Sequence, residues 1–220
     1  MSSFDIRLTK AAEKMGLVLD DKQKQSVLLY LELIQKWNKT YNITAIKEAE
    51  QILVQHLFDS LSVIAPLQQQ VGAEKAAIVL DVGSGGGLPG VIIAICCPHW
   101  HVTCIDAVEK KTSFITMVAG RLGLKNLSSK HCRIEDYASD EADLVVSRAF
   151  ASLSDFANWS GHTVKKNGHL AAMKGHYYPD EIAELEKTSD WLLDLWQALE
   201  VVDMDAERCL IWLKRKGLGD

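Results

Sequence analysis

Asp81-Val82-Gly83-Ser84-Gly85-Gly86-Gly87-Leu88-Pro89-Gly90 is the stretch whose residue types most clearly imply chemistry. Its five glycines remove side chains from the backbone, so a ligand can lie directly on the main-chain amides. The apolar run 76–80 precedes it and the apolar run 91–95 follows, the order of a buried strand, a glycine loop and a helix. Pro89 suits a first helical turn, where its missing N–H costs nothing. The helix start then turns unpaired N–H groups and a partial positive charge towards the loop. This is the sequence of a nucleotide-type cofactor site.

Two cofactor classes fit. Gly85-x-Gly87-x-x-Gly90 matches the dinucleotide fingerprint. Asp106 closes the next apolar run, 102–105, where an acid can accept bonds from ribose hydroxyls; NAD enzymes and S-adenosylmethionine (SAM) enzymes share that arrangement. Asp81-Val82-Gly83-Ser84-Gly85, an acid at the strand end followed at once by G-x-G, favours SAM. That ligand has no phosphate but carries an amino-acid end and a sulfonium charge. The alternative, an NAD-dependent oxidoreductase, lacks a visible Tyr-x-x-x-Lys, and only 130 residues follow Gly90, too few for a separate substrate domain.

The elements that must position the loop can be read from periodicity. At 220 residues the chain allows one large domain, or one domain with a helical extension. The first 65 residues carry apolar positions at helical spacing, with Gly16 ending a first helix and Asp20 or Asp21 capping a second. The spacing predicts a turn over 38–42, a third helix over 47–65 and a connector over 66–72. Strands are expected at 78–82, 102–106, 127–131, 144–147, 169–173, 198–203 and 209–214, and helices at 89–95, 109–122, 152–163 and 179–187. That rhythm implies a mostly parallel sheet with helices on both faces, closed by a terminal hairpin across 204–208. Ligand residues then gather at the carboxyl ends of strands: Gly83, Asp106, Glu135, and Ser147-Arg148.

Composition sets the remaining bounds. Hydrophobic content of 48% and charged content of 24% describe an ordinary globular protein. No apolar run reaches 18 residues, and Met1 to Lys10 lacks the apolar centre of a signal peptide, which predicts a cytoplasmic protein without a membrane partner. The five cysteines form no C-x-x-C pair or metal spacing and are expected as buried free thiols. Net charge is −5, yet residues 175–213 hold ten acids against two bases, so the remainder is net positive. Contact with nucleic acid over a small site is compatible with that distribution; wrapping a long duplex is not.

The loop, together with Trp37-Asn38-Lys39-Thr40-Tyr41-Asn42-Ile43-Thr44-Ala45, His56-Leu57-Phe58-Asp59-Ser60-Leu61, Ser147-Arg148-Ala149-Phe150-Ala151-Ser152-Leu153 and Met173-Lys174-Gly175, resembles the RsmG (GidB) family of bacterial 16S ribosomal RNA guanine-N7 methyltransferases. The five segments occur in the family's order and span roughly residues 5–216. Gly86-Gly87 departs from the small or proline residue followed by glycine that the family shows. The resemblance implies a class I SAM-dependent methyltransferase fold, with a helical extension over 1–70 and the methyltransferase domain over 71–220. It implies methyl transfer to N7 of a guanine in the small-subunit rRNA. Cofactor contacts by similarity fall on Gly83, Leu88, Ile134, Glu135 and Arg148; Gly85 and Asp106 join them from the logic of the loop and fold.

Several of these residues carry two readings. Glu135 can meet the exocyclic amine of adenine or cap the following segment. Arg148 can bind the methionine carboxylate, approach RNA, or serve a structural ion pair. Asp81 is a ligand contact or an organiser of the loop, Trp37 and Tyr41 are packing aromatics or stacking platforms, and His56 reads as a hydrogen-bonded structural histidine. Lys110, Lys111, Lys165, Lys166 and Lys174 are the expected phosphate contacts, with Lys36, Lys39 and Lys47 as a further basic strip. Guanine N7 carries a lone pair and no proton, so no general base and no metal are expected. That atom lies deep in the major groove of A-form RNA, so the target belongs in a loop or must leave its stack. A monomer is expected.

Overall fold

The computed structural model describes residues 3–148, 150 and 152–217; Ala149 and Ala151, which belong to the Ser147-to-Leu153 segment, lie outside them. Helices α1 (Ser3–Lys14) and α2 (Asp21–Tyr41) open the chain. Asp20 caps α2 through a reciprocal pair in which its side chain accepts from Gln23 N–H and the Gln23 side chain accepts from Asp20 N–H. Helix α2 continues through the expected 38–42 turn, ending where Asn42 takes a left-handed conformation (φ 47°). The break falls at 42–48, because Asn38 points inward from the helix: its amide donates to Ile46 O at 2.7 Å and accepts from Thr44 N–H at 2.9 Å.

The third helix is composite. α3 (Ala49–Ile52) runs into a π-helical stretch, Leu53–Phe58, and leaves it as α4 (Asp59–Leu61). The expected connector over 66–72 is instead helix α5 (Ile64–Val71). Pro66 falls in its first turn, where no intrahelical N–H is needed, so the helix tolerates it.

The sheet order is β3-β2-β1-β4-β5-β7-β6, parallel except for β7, which pairs antiparallel with both β5 and β6. Its strands are β1 (Ala77–Val82), β2 (Trp100–Asp106), β3 (Leu127–His131), β4 (Ala142–Ser147), β5 (Val164–Lys174), β6 (Trp191–Ala198) and β7 (Cys209–Arg215). Helices α6 (Gly90–Cys96), α7 (Glu109–Leu122), α8 (Leu153–Ser160) and α9 (Pro179–Thr188) connect them. The terminal hairpin forms, but its first strand is Trp191–Ala198 rather than 198–203. A register shift between Leu193 and Leu195 breaks the alternation that marks a strand, and β6 is an edge with Leu195 and Trp196 exposed.

Period-two alternation sorts the sheet into two buried clusters. Val79, Val102 and Cys104 face the N-terminal helices and α6, while Leu80, Val82 and Ile105 face α8 and α9. Leu8, Tyr30, Leu53 and Phe58 of the helical segment share the first cluster with the sheet. Asp81 lies on that same face, turned towards the start of α6. The strand order reverses between β1 and β4, so the crevice that open α/β sheets use for ligands lies between Gly83, after β1, and Arg148, after β4. Among the described residues no helix is long and apolar enough to cross a membrane.

Candidate active site

The glycine loop is held from three sides. Asp81, fully buried, accepts Gly90 N–H at 2.7 Å on Oδ2, and the Cys104 thiol lies 3.9 Å from the same oxygen. Asp106 accepts Gly85 N–H at 2.8 Å and Val108 N–H at 2.9 Å on its two oxygens, with Lys111 Nζ 3.6 Å away. The Tyr30 hydroxyl donates to Gly86 O at 2.5 Å, tying α2 to the loop.

The glycines divide into two kinds. A Cβ on Gly90 would stand 2.4 Å from Cys104 Sγ and 2.7 Å from Asp81 Oδ2, so this glycine serves close packing of helix on strand. A Cβ on Gly85 would meet nothing within 4 Å; its φ of +57° needs glycine, and its surface is open to a ligand.

Two cavities flank Gly83. One, of about 280 Å³, is lined by Asp106, Ile134 and Glu135 together with Val82, Ile105 and Trp159. The other, of about 220 Å³, is lined by Gly85, Leu88 and Arg148, with Ile34, Ile43, Thr44 and His56 from the helical segment. Of the strand ends named from the sequence, Gly83 borders both cavities, Asp106 and Glu135 the first, and Arg148 the second. The first cavity has an apolar wall in Ile134 and a carboxylate in Asp106, the surroundings an adenosine needs. The second sets bare backbone beside Arg148; Asp81 Oδ1, buried at the end of β1, has no hydrogen-bond partner among the described residues. A guanidinium beside bare backbone amides fits the carboxylate at the amino-acid end of SAM.

The π-helical stretch shapes the far wall. Asp59 N–H reaches back five residues to Val54 O, which widens the turn and faces His56 and Asp59 to the crevice. His56 Nε2 is 2.6 Å from Thr44 Oγ1, and its Nδ1 is 3.1 Å from Gln55 O and 3.4 Å from Arg148 Nη2. Burial, with the charge of Arg148 beside it, pushes the imidazole down to about 4. Arg148 Nη1 donates to Asp59 Oδ2 at 2.9 Å and to Gln55 O at 3.2 Å.

The family model described as GidB, rRNA small subunit methyltransferase G, matches residues 23–210. The chain belongs to that family. It is similar to the ribosomal RNA small subunit methyltransferase G of Bordetella petrii, at 51% identity over 95% of this chain and 82% of that one. Similarity to the protein of that name from Bordetella pertussis is 50% over 95% and 92%. A SAM-dependent methyltransferase from Aquifex aeolicus superimposes with a TM-score of 0.55 at 15% identity, covering 74% of this chain and 92% of that one. The fold is that of the SAM-dependent methyltransferases, and SAM is the cofactor.

Among GidB-family features, the Trp37-to-Ala45 segment docks the helical segment onto the loop. Ile43 is buried, with its Cγ2 2.9 Å from where a Cβ on Gly86 would stand. Trp37 packs on Phe114 at 5.2 Å between ring centroids and on Tyr41 at 4.8 Å.

The expected basic set divides. Lys110 is exposed at the start of α7, Lys111 faces Asp106, and Lys174 donates to Glu181 at 2.8 Å at the carboxyl end of β5. Lys165 and Lys166 are a correction. They begin β5, whose first residue pairs with Ala142, the first residue of β4, so they sit at the opposite end of the sheet from the crevice. Adjacent lysines at the start of an eleven-residue strand cannot reach its far end; β5 begins at Val164, ahead of the expected start at 169. Lys165 instead pairs with Asp143.

Sequence reasoning missed Asp59, Thr44, Tyr30 and Arg208 as site residues. Arg208 had one signal, as one of only two bases in the acidic stretch 175–213; Tyr30 had none.

The two buried titrating groups of this wall oppose each other in acid. Burial raises Asp81 to about 7 against the pull of Gly90 N–H and Arg148. Its contribution to stability is full below its unfolded value of 3.8 and is lost as pH rises towards 7. His56, lowered from 6.5, contributes stability that is present above 6.5 and lost as pH falls towards 4. Between about 4 and 6.5 the slopes cancel. His56→Gln is expected to uncover the Asp81 slope, with stability rising by up to about 1.4 kcal/mol per unit as pH falls from 6.5 to 4.5. Urea unfolding of both proteins at three pH values checks this; a variant profile parallel to the parent's refutes it.

Proposed function

We propose that this chain transfers a methyl group from SAM to N7 of a guanine in the 16S rRNA of the small ribosomal subunit, as a cytoplasmic monomer. SAM supplies a methyl group made electrophilic by its sulfonium centre. The role of the chain is to bind, orient and exclude water. Gly83 and Gly85 offer bare backbone, Leu88 and Ile134 apolar surface, and Asp106 lone pairs beside those already engaged by the loop amides. Arg148 is placed for a carboxylate, and Glu135 stands at the exposed rim of the adenosine cavity. The segments 1–70 and 71–220 divide the work: the helices wall the loop and the sheet carries it.

One observation carries the reading. The imidazole on the crevice wall, His56, is a weak base whose ring nitrogens both lie against protein partners. A wall so arranged is unsuited to taking a proton from a substrate. An acceptor that already presents a lone pair needs none removed, and N7 of guanine is such an acceptor. Catalysis then rests on in-line placement in a dry crevice.

The test is methyl transfer from labelled SAM to isolated small subunits, naked 16S rRNA and whole ribosomes, followed by digestion to nucleosides. Label is expected in 7-methylguanosine from rRNA. SAM binding without transfer to any of the three would sink the proposed acceptor.

A further inference from the structure

Across Arg148 and His56 the cofactor crevice opens into a third cavity of about 390 Å³, whose lining adds Gln55, Asp59, Lys174 and Arg208. That is within the range of about 300–1,000 Å³ seen for small-ligand sites. Its wall holds a second arginine, Arg208, which the residues proposed for SAM do not include. Asp59, buried, takes Arg148 on one carboxylate oxygen at 2.9 Å and Arg208 Nε on the other at 3.0 Å. Two guanidiniums on one carboxylate leave an excess positive charge. Of the acids near it, Glu181 is paired with Lys174, and exposed Glu207 lies beside His176 and gives its backbone oxygen to Arg208.

Arg208 is also incompletely satisfied. Nε is given to Asp59 and Nη1 to Glu207 O at 2.8 Å, while Nη2 has no hydrogen-bond partner among the described residues. A guanidinium fixed along one edge, with a free donor beside a cavity, suits an oxyanion, and the planar fork of arginine matches phosphate in particular.

We propose that the third cavity receives the acceptor nucleotide of a single-stranded RNA segment, and that Arg208, held in place by Asp59, binds a phosphate of that strand. The inference rests on the rRNA-methyltransferase reading. Arg148 and His56 line both this cavity and the cofactor-loop cavity, so a base lodged here lies against the side chains that wall the loop. A nucleotide taken out of its stack needs its backbone gripped as well as its base enclosed. With Asp59 shared and Arg148 placed for the SAM carboxylate, Arg208 is the guanidinium left to meet a phosphate of the strand.

The experiment compares the full-length parent with Arg208→Gln, Arg208→Lys and Lys165→Gln. It measures binding to isolated small subunits between about 50 and 200 mM salt, SAM affinity by calorimetry, and single-turnover formation of 7-methylguanosine. Arg208→Gln is expected to weaken subunit binding about tenfold and to reduce the salt slope by about one, with SAM affinity within about twofold of the parent. Arg208→Lys should recover most of the salt slope, and Lys165→Gln should match the parent throughout. Unchanged subunit affinity and slope in Arg208→Gln overturn the inference. So does a parallel loss of SAM affinity in both Arg208 variants, which would assign the residue to the fold. A parent that binds subunits but forms no 7-methylguanosine overturns the functional reading instead, and the Arg208 binding comparison still decides this one.

Discussion

Replacing Asp59 by alanine is expected to lower stability by about 3 kcal/mol and the unfolding midpoint by roughly 6–12 °C. The reason is charge left without its partner. Asp59 is 2% exposed and meets two arginines, which come from distant parts of the chain: Arg148 follows β4 and Arg208 precedes β7. Truncation leaves two cations facing each other, with Gln55 O and Glu207 O as their remaining acceptors. Breaking a buried pair from one side costs about 3–5 kcal/mol. The lower end applies because the arginine side chains keep 25% and 29% exposure and can turn partly to water. Asp59→Asn, which keeps an acceptor oxygen, should lose less. Calorimetric melting of both variants measures the difference; a fall below about 1 kcal/mol for the alanine variant would show that the cluster is a solvated surface network.

Asp106→Ala is expected to weaken SAM binding about 100-fold, equivalent to about 2.7 kcal/mol. Two consequences add. The carboxylate holds Gly85 N–H and Val108 N–H at once, so its removal frees the loop at the glycine whose surface is open to the ligand. Hydrogen bonds from backbone amides to a charged acceptor are worth about 1.5–3 kcal/mol each, and part of that ordering must then be supplied on binding. The variant also loses the acceptor proposed for the ribose hydroxyls. Asp106→Asn retains one acceptor but turns an amide donor towards a second N–H, so an intermediate loss is expected. Titration calorimetry with SAM decides it: an alanine variant within about threefold of the parent would assign Asp106 to the fold alone.

The two variants differ in how visible their residues are in the sequence. Asp106 could be found there, because a strand-ending acid one β-α unit after a glycine loop has a fixed place in an alternating fold. The same logic reached Gly83, Glu135 and Arg148, each just beyond the carboxyl end of an expected strand, while Ile134 came from the family resemblance. Strand β3 and helix α7 match the expected bounds, and for α7 the reason is local: Glu109 opens it and Gly123 in a left-handed conformation ends it. Asp59 offered no such cue. It sits in an apolar helical run where a lone acid reads as a solvent-facing break, and only the π-helical stretch turns it inward.

What the sequence determined by itself was the chemistry of the loop, the α/β alternation and the family, since these depend on residue type and local spacing. Only tertiary structure decided which distant side chains meet. Lys165 and Lys166 fell at the wrong end of the sheet because strand direction and length, not charge, set where a residue lands. Edge strand β6 was displaced in the reading because a register shift and a solvent-facing side erase the alternation that marks a strand. Arg208 and Asp59 stand 149 residues apart in the chain and 3.0 Å apart in space. That contact follows from β7 lying antiparallel beside β5 and from the helical segment packing across the sheet, and no local pattern encodes it.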